Sequence, residues 1–522
     1  MTDDSEDMKP RNVTLATLVA AVLIIALVTS FVHLDDGDGE GRGIAIIHTN
    51  DTHGYYDEYL GFAAVSELRS EYEDAGYTVF VLDAGDAFQG TATTSLSHGE
   101  TTIDVMNAVG YDLMCPGNHE FDYTLETYLE YADRLDFGTV CANLVWDDTG
   151  ETVFDAYTVL EREGASIGVF GILSPDTPGS VMAGYMDGVT VTGPAEAAES
   201  AVSELEAMGV DLIVALTHLG VDPSSSYTSD MLCSEVDGID VCIDGHSHTA
   251  MSGGVVADGS IDIIGSDTVI ASTGCYIESI GVVTITSGGI DAYLVDQCER
   301  DPEVQSVIDG IREDQSGYLS QVIGYAEDDL SGERTAARLG EVIMGDLVTD
   351  AMRQVTGAEI ALVNGGAIRA AIPAGDITVE DAYGTYPFDN YIQTMTVDGA
   401  TIISALEAGL SGLPGAAGAY LQVSGIVVTY DSSREAGDRL VSVTLTDGTT
   451  LDPDAEYLVA ACDYVMSDPS YPFHEMQVDG TSETMVRDAL MDLISEAGSI
   501  GTDDVVTGRL IDTAATSERW QG

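Results

Sequence analysis

The sequence predicts an α/β protein of two domains behind an N-terminal membrane anchor. The chain has 522 residues, 45% of them hydrophobic, which is too long for one ordinary domain and enough for two sizeable cores. Short apolar runs rich in β-branched residues predict buried strands of an α/β layer. The composition changes after Cys298, where a polar helical stretch separates the two halves.

The N-terminal segment predicts the anchor. Lys9-Pro10-Arg11-Asn12 precedes an apolar run from Val13 to about Leu34, and about twenty apolar residues can cross a hydrocarbon core. The basic flank should stay in the cytoplasm, so the rest of the chain would face outside the cell. A cleaved signal peptide and a secreted protein are the alternative, although no clear Ala-x-Ala site precedes Asp35. We therefore expect residues 1–42 to form a cytoplasmic tip, a signal anchor and an acidic tether.

The charge balance is extreme, with 90 acidic and 17 basic residues and a net charge of −73. Disorder explains it poorly, because apolar periodic segments run throughout the chain. Self-repulsion of this size destabilises a compact state in dilute buffer, whereas about 1 M salt shortens the Debye length to roughly 3 Å. We therefore expect a halophilic source, namely a halophilic archaeon, and no binding of a nucleic-acid polymer through a basic surface.

Five predicted strands of the first half each lead into side chains typical of metal ligands. The strands are Ile44 to Ile47, Thr78 to Leu82, Val109 to Met114, Leu212 to Leu216 and Val241 to Ile243. The clusters are Asp51-Thr52-His53, Gly85-Asp86, Gly117-Asn118-His119-Glu120, Thr217-His218 and Gly245-His246-Ser247-His248. Because open α/β sheets place ligands just past strand ends, we expect these clusters to converge.

Such a set suits hydrolysis of a phosphate ester with two divalent metal ions about 3.5 to 4 Å apart. Asp86 is the candidate bridging carboxylate. The other ligands divide into Asp51, His53 and His248 on one ion and Asn118, His218 and His246 on the other. This division leaves His119 free for substrate. The mixed donors suit manganese, zinc, iron or cobalt, so the metal stays open.

Four stretches of the first half match known motifs in order and context: Ile47 to Gly54, Leu82 to Asp86, Gly117 to Asp122 and Gly245 to Thr249. In them the chain resembles the calcineurin-like metallophosphoesterases and, more closely, the 5′-nucleotidase family. The resemblance implies a four-layer α/β/β/α metallophosphoesterase domain followed by a second α/β nucleotide-recognition domain. It also implies that His119 stabilises the transition state and that Asp122 pairs with it.

The second half is predicted to bind the substrate. Pro302 to Gln321 has the pattern of a connecting helix, so we expect domains at residues 43–300 and 326–515 with a connector at 301–325. The strand Ile360 to Val363 precedes Asn364-Gly365-Gly366-Ala367-Ile368-Arg369. The glycines allow the backbone close to a ligand, with a tight turn as the alternative. Arg369 offers a planar fork for phosphate or ribose oxygens.

The resemblance extends to this half. It implies substrate contacts at Asn364, Gly366 and Arg369, and base stacking on Phe388, worth roughly 1 to 3 kcal/mol. Arg334 and Arg338 resemble the family's upstream substrate arginines, with helix-surface ion pairs as the alternative. Tyr464 aligns with the second stacking aromatic and Asp468 with a loop aspartate. The segment from Cys462 to Tyr471 lacks the glycines of the family pattern, which leaves its backbone path open.

The remaining histidines and the cysteines are given no catalytic role. His33, His48, His98 and His474 are expected outside the metal site. The seven cysteines include no Cys-x-x-Cys pair, which argues against a zinc ribbon. Disulfides between Cys233 and Cys242 or between Cys275 and Cys298 stay open, and an odd count leaves at least one thiol free.

The predicted function is that of an extracellular 5′-nucleotidase, with a metal-bridging hydroxide as nucleophile and His119 and Asp122 assisting. Alternatives of the same chemistry are a 2′,3′-cyclic-nucleotide phosphodiesterase, a UDP-sugar pyrophosphatase and a thiosulfohydrolase. A different class is an inactive surface binding module. The expected partners are a nucleotide substrate and the membrane, and the oligomeric state stays open.

Overall fold

The computed structural model describes residues 43–514 apart from 183, 224, 253–254, 257–267 and 475. The predicted cytoplasmic tip, signal anchor and acidic tether therefore lie outside the described residues. Within the described ranges, no helix is long and apolar enough to span a bilayer.

Strands and helices alternate through the first half, as in α/β folds. The strands are β1 (Ile44–Thr49), β2 (Thr78–Asp83), β3 (Leu113–Met114), β4 (Gly138–Thr139), β5 (Leu144–Trp146), β6 (Tyr157–Arg162), β7 (Ala165–Leu173), β8 (Val189–Val191), β9 (Leu212–His218), β10 (Val241–Asp244), β11 (Ala250–Ser252), β12 (Val255–Val256), β13 (Val269–Thr273), β14 (Ile280–Thr286) and β15 (Gly289–Val295). The helices are α1 (Phe62–Asp74), α2 (Ala92–Leu96), α3 (Glu100–Val109), α4 (Leu125–Ala132), α5 (Thr177–Ser180), α6 (Pro194–Met208) and α7 (Ser229–Glu235).

Two sheets form the centre of this half. One has the order β15-β14-β1-β2-β3-β4 and the other β12-β11-β13-β10-β9-β7-β6. Strands β1 to β4 run parallel to one another, and so do β7, β9, β10 and β13 in the second sheet. The carboxyl ends of the parallel strands in each sheet therefore lie at one edge, which is where α/β sheets bind ligands.

The two sheets pack face to face with helices outside them. Ile46, Phe80 and Leu82 of the first sheet share an inner core with Val214 and Ile243 of the second. The outer face of the first sheet packs on α1, α3 and α4, and that of the second on α6 and α7. Both faces are buried, so the strands are nearly continuous apolar runs. These layers agree with the mixed α/β fold that the resemblance implied.

The predicted strand from Val109 to Met114 is wrong in its first part. Val109 is the last residue of α3, and Gly110 ends that helix in the left-handed conformation with φ 78°. Only Leu113 and Met114 pair as a strand. An apolar run shared between a helix end and a strand cannot be divided by hydropathy alone.

A long helix joins the halves. Helix α8 (Pro302–Leu319) begins with Pro302 at its first position, and the Asp301 side chain accepts the N–H groups of Glu303 and Val304. Val304 and Ile308 pack on the core of the first half. Leu319 joins Ala92, Val379 and Tyr383 in a small apolar cluster between the halves.

The second half has its own core around a five-stranded sheet of order β20-β17-β23-β19-β24. Its strands are β16 (Val322–Ala326), β17 (Ile360–Asn364), β18 (Gly375–Thr378), β19 (Tyr391–Asp398), β20 (Leu421–Ser424), β21 (Ile426–Tyr430), β22 (Leu440–Leu445), β23 (Glu456–Cys462), β24 (Gly480–Met485) and β25 (Leu510–Asp512). Its helices are α9 (Ile343–Thr356), α10 (Val379–Thr385), α11 (Gly399–Leu410), α12 (Asp463–Ser467) and α13 (Val486–Ala497). Helices α9 and α13 pack on each other, and α9 lies on the sheet.

Candidate active site

The carboxyl edge of the two sheets brings the predicted metal ligands together. The side chains that meet are Asp51 and His53 after β1, Asp86 after β2, Asn118 after β3, His218 at the end of β9, and His246 and His248 after β10. The ligand atoms of Asp51, His53 and His248 lie within 4.8 Å of one another, and so do those of Asp86, His218 and His246. These two groups follow the proposed division between two ions, and a third group of the same kind joins His53 and Asp86 to His119, which the sequence prediction left free for substrate. Asn118 Oδ1 lies 3.0 Å from His246 Nδ1.

The donor set fits divalent cations. His218 Nδ1 lies 2.6 Å from the carbonyl of Ala84, and His53 Nδ1 lies 2.9 Å from that of Gln89. A ring that donates from Nδ1 to a carbonyl leaves Nε2 as the ligand atom, as in many metal sites. His53 Nε2 is 4.0 Å from Asp86 Oδ2, and His218 Nε2 is 3.1 Å from the same oxygen. Asp86 is thus placed to bridge the two groups.

The backbone at the site is held in an uncommon conformation. Five of the predicted ligands have φ between +48° and +74°, namely Asp51, His53, Asp86, His246 and His248. Residues other than glycine rarely adopt this region, and such strain persists where surrounding structure enforces it, often at functional sites. At Gly117 a Cβ atom would lie 2.3 Å from Asp86 Oδ1 and 2.6 Å from His218 Cε1. Glycine is therefore required beside Asp86, the candidate bridging carboxylate.

Burial and mutual charge shift the pKa values of the ligands. Burial raises the pKa of Asp51 to about 7 and lowers that of His53 to about 3. Burial also opposes the charged form of His218, yet the Asp86 and Asp51 carboxylates raise its pKa to about 10. Since imidazole binds a metal in its neutral form, metal binding at His218 would release a proton.

His119 and Asp122 form the predicted pair beside this cluster. His119 Nδ1 lies 2.6 Å from Asp122 Oδ2, and the His119 ring is 5.0 Å from that of His53. Burial disfavours the charged imidazole, but Asp122 and Asp86 raise the pKa of His119 above its ordinary value. Asp122 fixes the ring by Nδ1, so Nε2 is the nitrogen left for a substrate.

Two buried polar residues outside the predicted ligand set, Glu120 and Asn50, hold the ligand loops. The Glu120 carboxylate accepts the N–H groups of Asp86, Ala87, Phe88 and Gly117 at 2.8, 2.7, 3.3 and 2.5 Å. The Asn50 amide donates to Asp51 Oδ2 and to the Gly274 carbonyl, both at 2.8 Å. In the sequence, Glu120 directly follows His119 and Asn50 directly precedes Asp51, and this adjacency was the indication that both residues belong to the site.

Three arginines of the second half lack acidic partners. In the described part of the chain, neither Arg334, Arg338 nor Arg369 has a carboxylate within ion-pair distance. Burial, then Arg369 and Arg334, lower the pKa of Arg338 to about 9, and burial and Arg334 lower that of Arg369 to about 10. The expected alternative of helix-surface ion pairs is therefore not found for Arg334 and Arg338. Clustered guanidinium groups without carboxylates form a site for an anion.

A cavity of about 310 Å³ lies between the two halves beside these groups. Ten predicted site residues line it: Asn118, His119, Asp122, Arg338, Asn364, Gly366, Arg369, Phe388, Tyr464 and Asp468. The Phe388 ring is 6.3 Å from that of His119 at an interplanar angle of 27°, and the Arg369 guanidinium is 5.0 Å above Phe388. Arg334 lies outside this lining. Gly179, Met182, Tyr185 and Asn390 also line the cavity and were missed; the first three follow β7, whose carboxyl end was not considered.

The glycines after β17 serve the chain's own packing as well as the cavity. A Cβ atom at Gly365 would lie 2.1 Å from the Ala337 carbonyl, and one at Gly366 would lie 3.2 Å from Gly418. Gly365 thus lets the segment that carries Arg338 approach the end of β17, and Gly366 leaves room for Gly418. Gly366 also lines the cavity.

The segment from Cys462 to Tyr471 follows a path that needs no glycine. It begins with the short helix α12, whose first residue Asp463 accepts the Tyr391 N–H and the Asn390 amide, both at 2.8 Å. Asp468 accepts the Ser470 N–H at 2.7 Å. The Tyr464 hydroxyl donates to the Gly179 carbonyl at 3.4 Å, so this loop also contacts the first half.

The other histidines lie away from the metal ligands. His48 is buried, which lowers its pKa to about 3. His98 pairs with Asp389 at 3.1 Å across the two halves, and His474 Nδ1 lies 2.8 Å from the Tyr471 carbonyl. His33 lies outside the described residues. All seven cysteines are free thiols, so neither disulfide left open by the sequence is present.

Comparison with known proteins found similarities for both halves. Residues 44–250 match the family described as calcineurin-like phosphoesterase, and residues 322–472 match the 5′-nucleotidase C-terminal domain. The fold resembles the crystal structure of a 5′-nucleotidase precursor from Thermus thermophilus, with a TM-score of 0.77 and 28% identity over 90% of this chain and 99% of that chain.

Curated relatives agree with these matches. The chain is 28% identical over 465 residues to a 5′-nucleotidase of Vibrio cholerae, covering 79% of this chain and 83% of that protein. It is also 28% identical over 479 residues to the Trifunctional nucleotide phosphoesterase protein YfkN of Bacillus subtilis, covering 81% of this chain. The chain spans only 32% of the length of that relative. The similarities cover both halves of the chain, and the His and Asp groups of the first half could hold metal ions.

Proposed function

Because the chain joins a calcineurin-like phosphoesterase region to a 5′-nucleotidase C-terminal region, we propose that it hydrolyses phosphate esters of nucleotides. One observation carries the proposal: a single cavity places Phe388 and Arg369 directly beside His119 and Asn118. An aromatic ring and guanidinium groups suit a base and its phosphates. On the side of the first half, the cavity is lined by Asn118, His119 and Asp122, whose side chains suit hydrolysis of a phosphate ester.

The roles of the residues follow from their positions. Two divalent ions held by the seven ligands would stabilise charge on the phosphoryl oxygens and lower the pKa of an attacking water. His119, held at Nδ1 by Asp122, would place its Nε2 hydrogen toward charge that develops on the phosphoryl group or the leaving oxygen. Arg338 and Arg369 would bind anionic oxygens, and Phe388 would stack on the base. Tyr464 lies in the same cavity as a second aromatic surface.

The substrate class distinguishes this proposal from its alternatives. A thiosulfohydrolase would have no use for an aromatic surface beside the catalytic histidine, so Phe388 favours a nucleotide. A 2′,3′-cyclic nucleotide and a UDP-sugar offer the same base and phosphate groups, so both belong in the test. An inactive binding module would have no need to retain all seven metal ligands.

The test is phosphate release by the full chain in molar salt with manganese or zinc. The substrates are AMP, ADP, ATP, a 2′,3′-cyclic nucleotide, a UDP-sugar, thiosulfate-type esters and a generic aryl phosphate. We expect the nucleotides to be hydrolysed, and the Asp86→Ala variant to lose at least about a hundredfold in activity because both ions lose a ligand. Asp148→Ala, at an exposed position of the same half, is the matched control and should keep full activity.

Two outcomes would contradict the proposal. Hydrolysis of the aryl phosphate but of none of the nucleotides would refute the substrate class. A purified protein that holds no metal and hydrolyses nothing would favour the binding module.

We further propose that these domains face the outside of the cell of a halophile, either anchored by the N-terminal segment or secreted after its cleavage. The apolar run after Lys9-Pro10-Arg11-Asn12 and the net charge of −73 support this location. Protease treatment of intact cells should remove the activity if the enzyme is exposed on the surface. Activity that is protected until the cells are lysed would refute it.

A further inference from the structure

The two aromatic side chains proposed to hold the base come from separate segments of the second half. Phe388 lies in the turn between α10 and β19, and Tyr464 lies in the short helix α12. Both rings line the cavity. Among the described residues the two rings do not contact each other, and the ring neighbours of Phe388 are His119 and Tyr386. A base can stack on both rings only if the two segments are held at a suitable separation.

One buried carboxylate joins these two segments. Asp463 is only 5% exposed. Its Oδ1 accepts the side-chain amide of Asn390 at 2.8 Å and the Tyr464 N–H at 2.9 Å. Its Oδ2 accepts the Tyr391 N–H at 2.8 Å. A single side chain thus connects the helix that carries Tyr464 with the two residues that lie two and three positions after Phe388.

The turn that carries Phe388 is held at its far end by Asn390. The Tyr386 hydroxyl donates to Asn390 Oδ1 at 3.0 Å, and the Val486 N–H donates to the Asn390 carbonyl at 2.9 Å. Both Tyr386 and Asn390 are buried. One end of the Asn390 amide therefore contacts the turn and the other end contacts Asp463, so a shift of Asp463 would be transmitted to Phe388.

The surroundings of Asp463 indicate a role in geometry and no direct contact with substrate. Asp463 does not line the cavity, whereas Asn390 and Tyr464 do. Its three donors are amide groups. Burial of a carboxylate is costly unless its oxygens are hydrogen-bonded, and a carboxylate accepts at both oxygens, which a side-chain amide cannot do. Asp463 thus suits a position where donors from two segments must meet.

We infer that Asp463 is a positioning residue that sets the separation of Phe388 and Tyr464 and thereby the affinity for the base. This inference rests on the proposed function, because it assumes that a nucleotide base binds between these rings. It also gives a role to the first residue of α12, in a segment that follows its path without glycine.

The test compares Asp463→Asn with the wild-type full chain on AMP and on ribose 5-phosphate, which has the same ester and no base. The amide accepts at one oxygen only and would place its NH2 group against a donor. KM for AMP should rise by about five- to tenfold, because part of the stacking on the rings is lost. KM for ribose 5-phosphate and kcat for both substrates should stay within about twofold. The inhibition constant of adenosine should rise with the KM for AMP.

Glu341→Gln is the matched control. The Glu341 carboxylate accepts the Arg509 and Leu510 N–H groups in the same half and does not line the cavity, so both KM values should equal those of the wild type. If circular dichroism shows that Asp463→Asn does not fold, Asn390→Ala cuts the same link from the other side. It should give the same difference between the two substrates.

Two results would overturn the inference and leave the proposed function intact. One is an unchanged KM for AMP in Asp463→Asn. The other is an equal rise in KM for AMP and ribose 5-phosphate, which would indicate general damage to the cavity. If the wild type binds AMP no better than ribose 5-phosphate, the cavity has no site for a base, and the proposed substrate class fails together with this inference.

Discussion

At the scale of single residues, Glu120 connects the two loops on which the metal site depends. Its carboxylate is buried and accepts four backbone N–H groups, three from Asp86 to Phe88 and one from Gly117. The first loop carries Asp86, the candidate bridging carboxylate, and the second leads into Asn118 and His119. Such outer contacts orient metal ligands and are commonly as necessary as the ligands themselves. Glu120 is thus a positioning residue.

Replacement of Glu120 by glutamine should weaken metal binding by about 10- to 100-fold. The amide can accept with one oxygen only, and its NH2 group would face backbone donors. The dissociation constant for manganese or zinc, measured by competition with a chelator, checks this expectation. Glu126→Gln, at an exposed position of α4, should bind metal like the wild type. Unchanged affinity in Glu120→Gln would show that the loops hold their geometry without it.

At the scale of elements, the turn between α2 and α3 contacts the segment before β19. His98 Nε2 lies 3.1 Å from Asp389 Oδ2, and Asp389 also pairs with Arg487 at 2.6 Å. Tyr123 stacks on the His98 ring at 5.2 Å. Asp389 follows Phe388 directly, so this ion pair joins the two halves next to the proposed base-stacking residue.

The contact should make substrate binding depend on pH. The hydrogen bond to Asp389 raises the pKa of His98, while burial and Arg487 act in the opposite direction. A raised histidine pKa means that the contact is fully formed below about pH 6.5, the ordinary value, and is lost as pH rises through the raised value. Because the His98 side chain is 61% exposed, we expect only about a twofold effect on KM.

The measurement is the KM of His98→Gln divided by the KM of the wild type, taken from pH 6 to 8.5. In this ratio the effect of the substrate's own titration cancels. The ratio should exceed one at low pH and approach one at high pH. Glu100→Gln alters an ion pair with Arg134 inside the first half and should give a flat ratio. A flat ratio for His98→Gln would show that the contact does not influence the cavity.

Elements built from local patterns were predictable, whereas the contacts between them were not. The run Ile44 to Ile47 lies in β1, and the polar helical stretch from Pro302 corresponds to α8 with its Asp301 cap. The ligands after β1, β2, β3, β9 and β10 follow from the rule that parallel strands share an edge. The hydrogen bonds that Asp463 and Glu120 accept arise from tertiary packing, which leaves no periodic signal in the chain. The arginine cluster was equally unpredictable, because the sequence does not show which carboxylates lie too far from Arg334, Arg338 and Arg369 to form ion pairs.

At the scale of the whole molecule, charge is distributed unevenly between surface and site. The chain has 90 acidic residues against 17 basic ones, yet Arg334, Arg338 and Arg369 find no carboxylate partner among the described residues. An acidic exterior repels an anionic substrate at low ionic strength. At about 1 M salt, screening limits this repulsion to distances of about 3 Å. The arginines act at short range in partly buried positions, so they are screened less. High salt would thus favour both the fold and the entry of the proposed substrate.

We therefore expect the melting temperature to rise on the order of 10 °C between about 0.2 and 2 M sodium chloride, because repulsion among surface carboxylates is screened. Calorimetry or circular dichroism on the full chain measures it. A parallel measurement in sodium sulfate distinguishes two effects of salt: screening of surface charge, and stabilisation by a salt that is excluded from the protein surface. Screening acts through ionic strength and levels off once the Debye length reaches about 3 Å, whereas exclusion makes sulfate stronger at equal ionic strength and continues to rise. A melting temperature that is independent of sodium chloride would contradict the halophilic interpretation, and the −73 charge would then require another explanation.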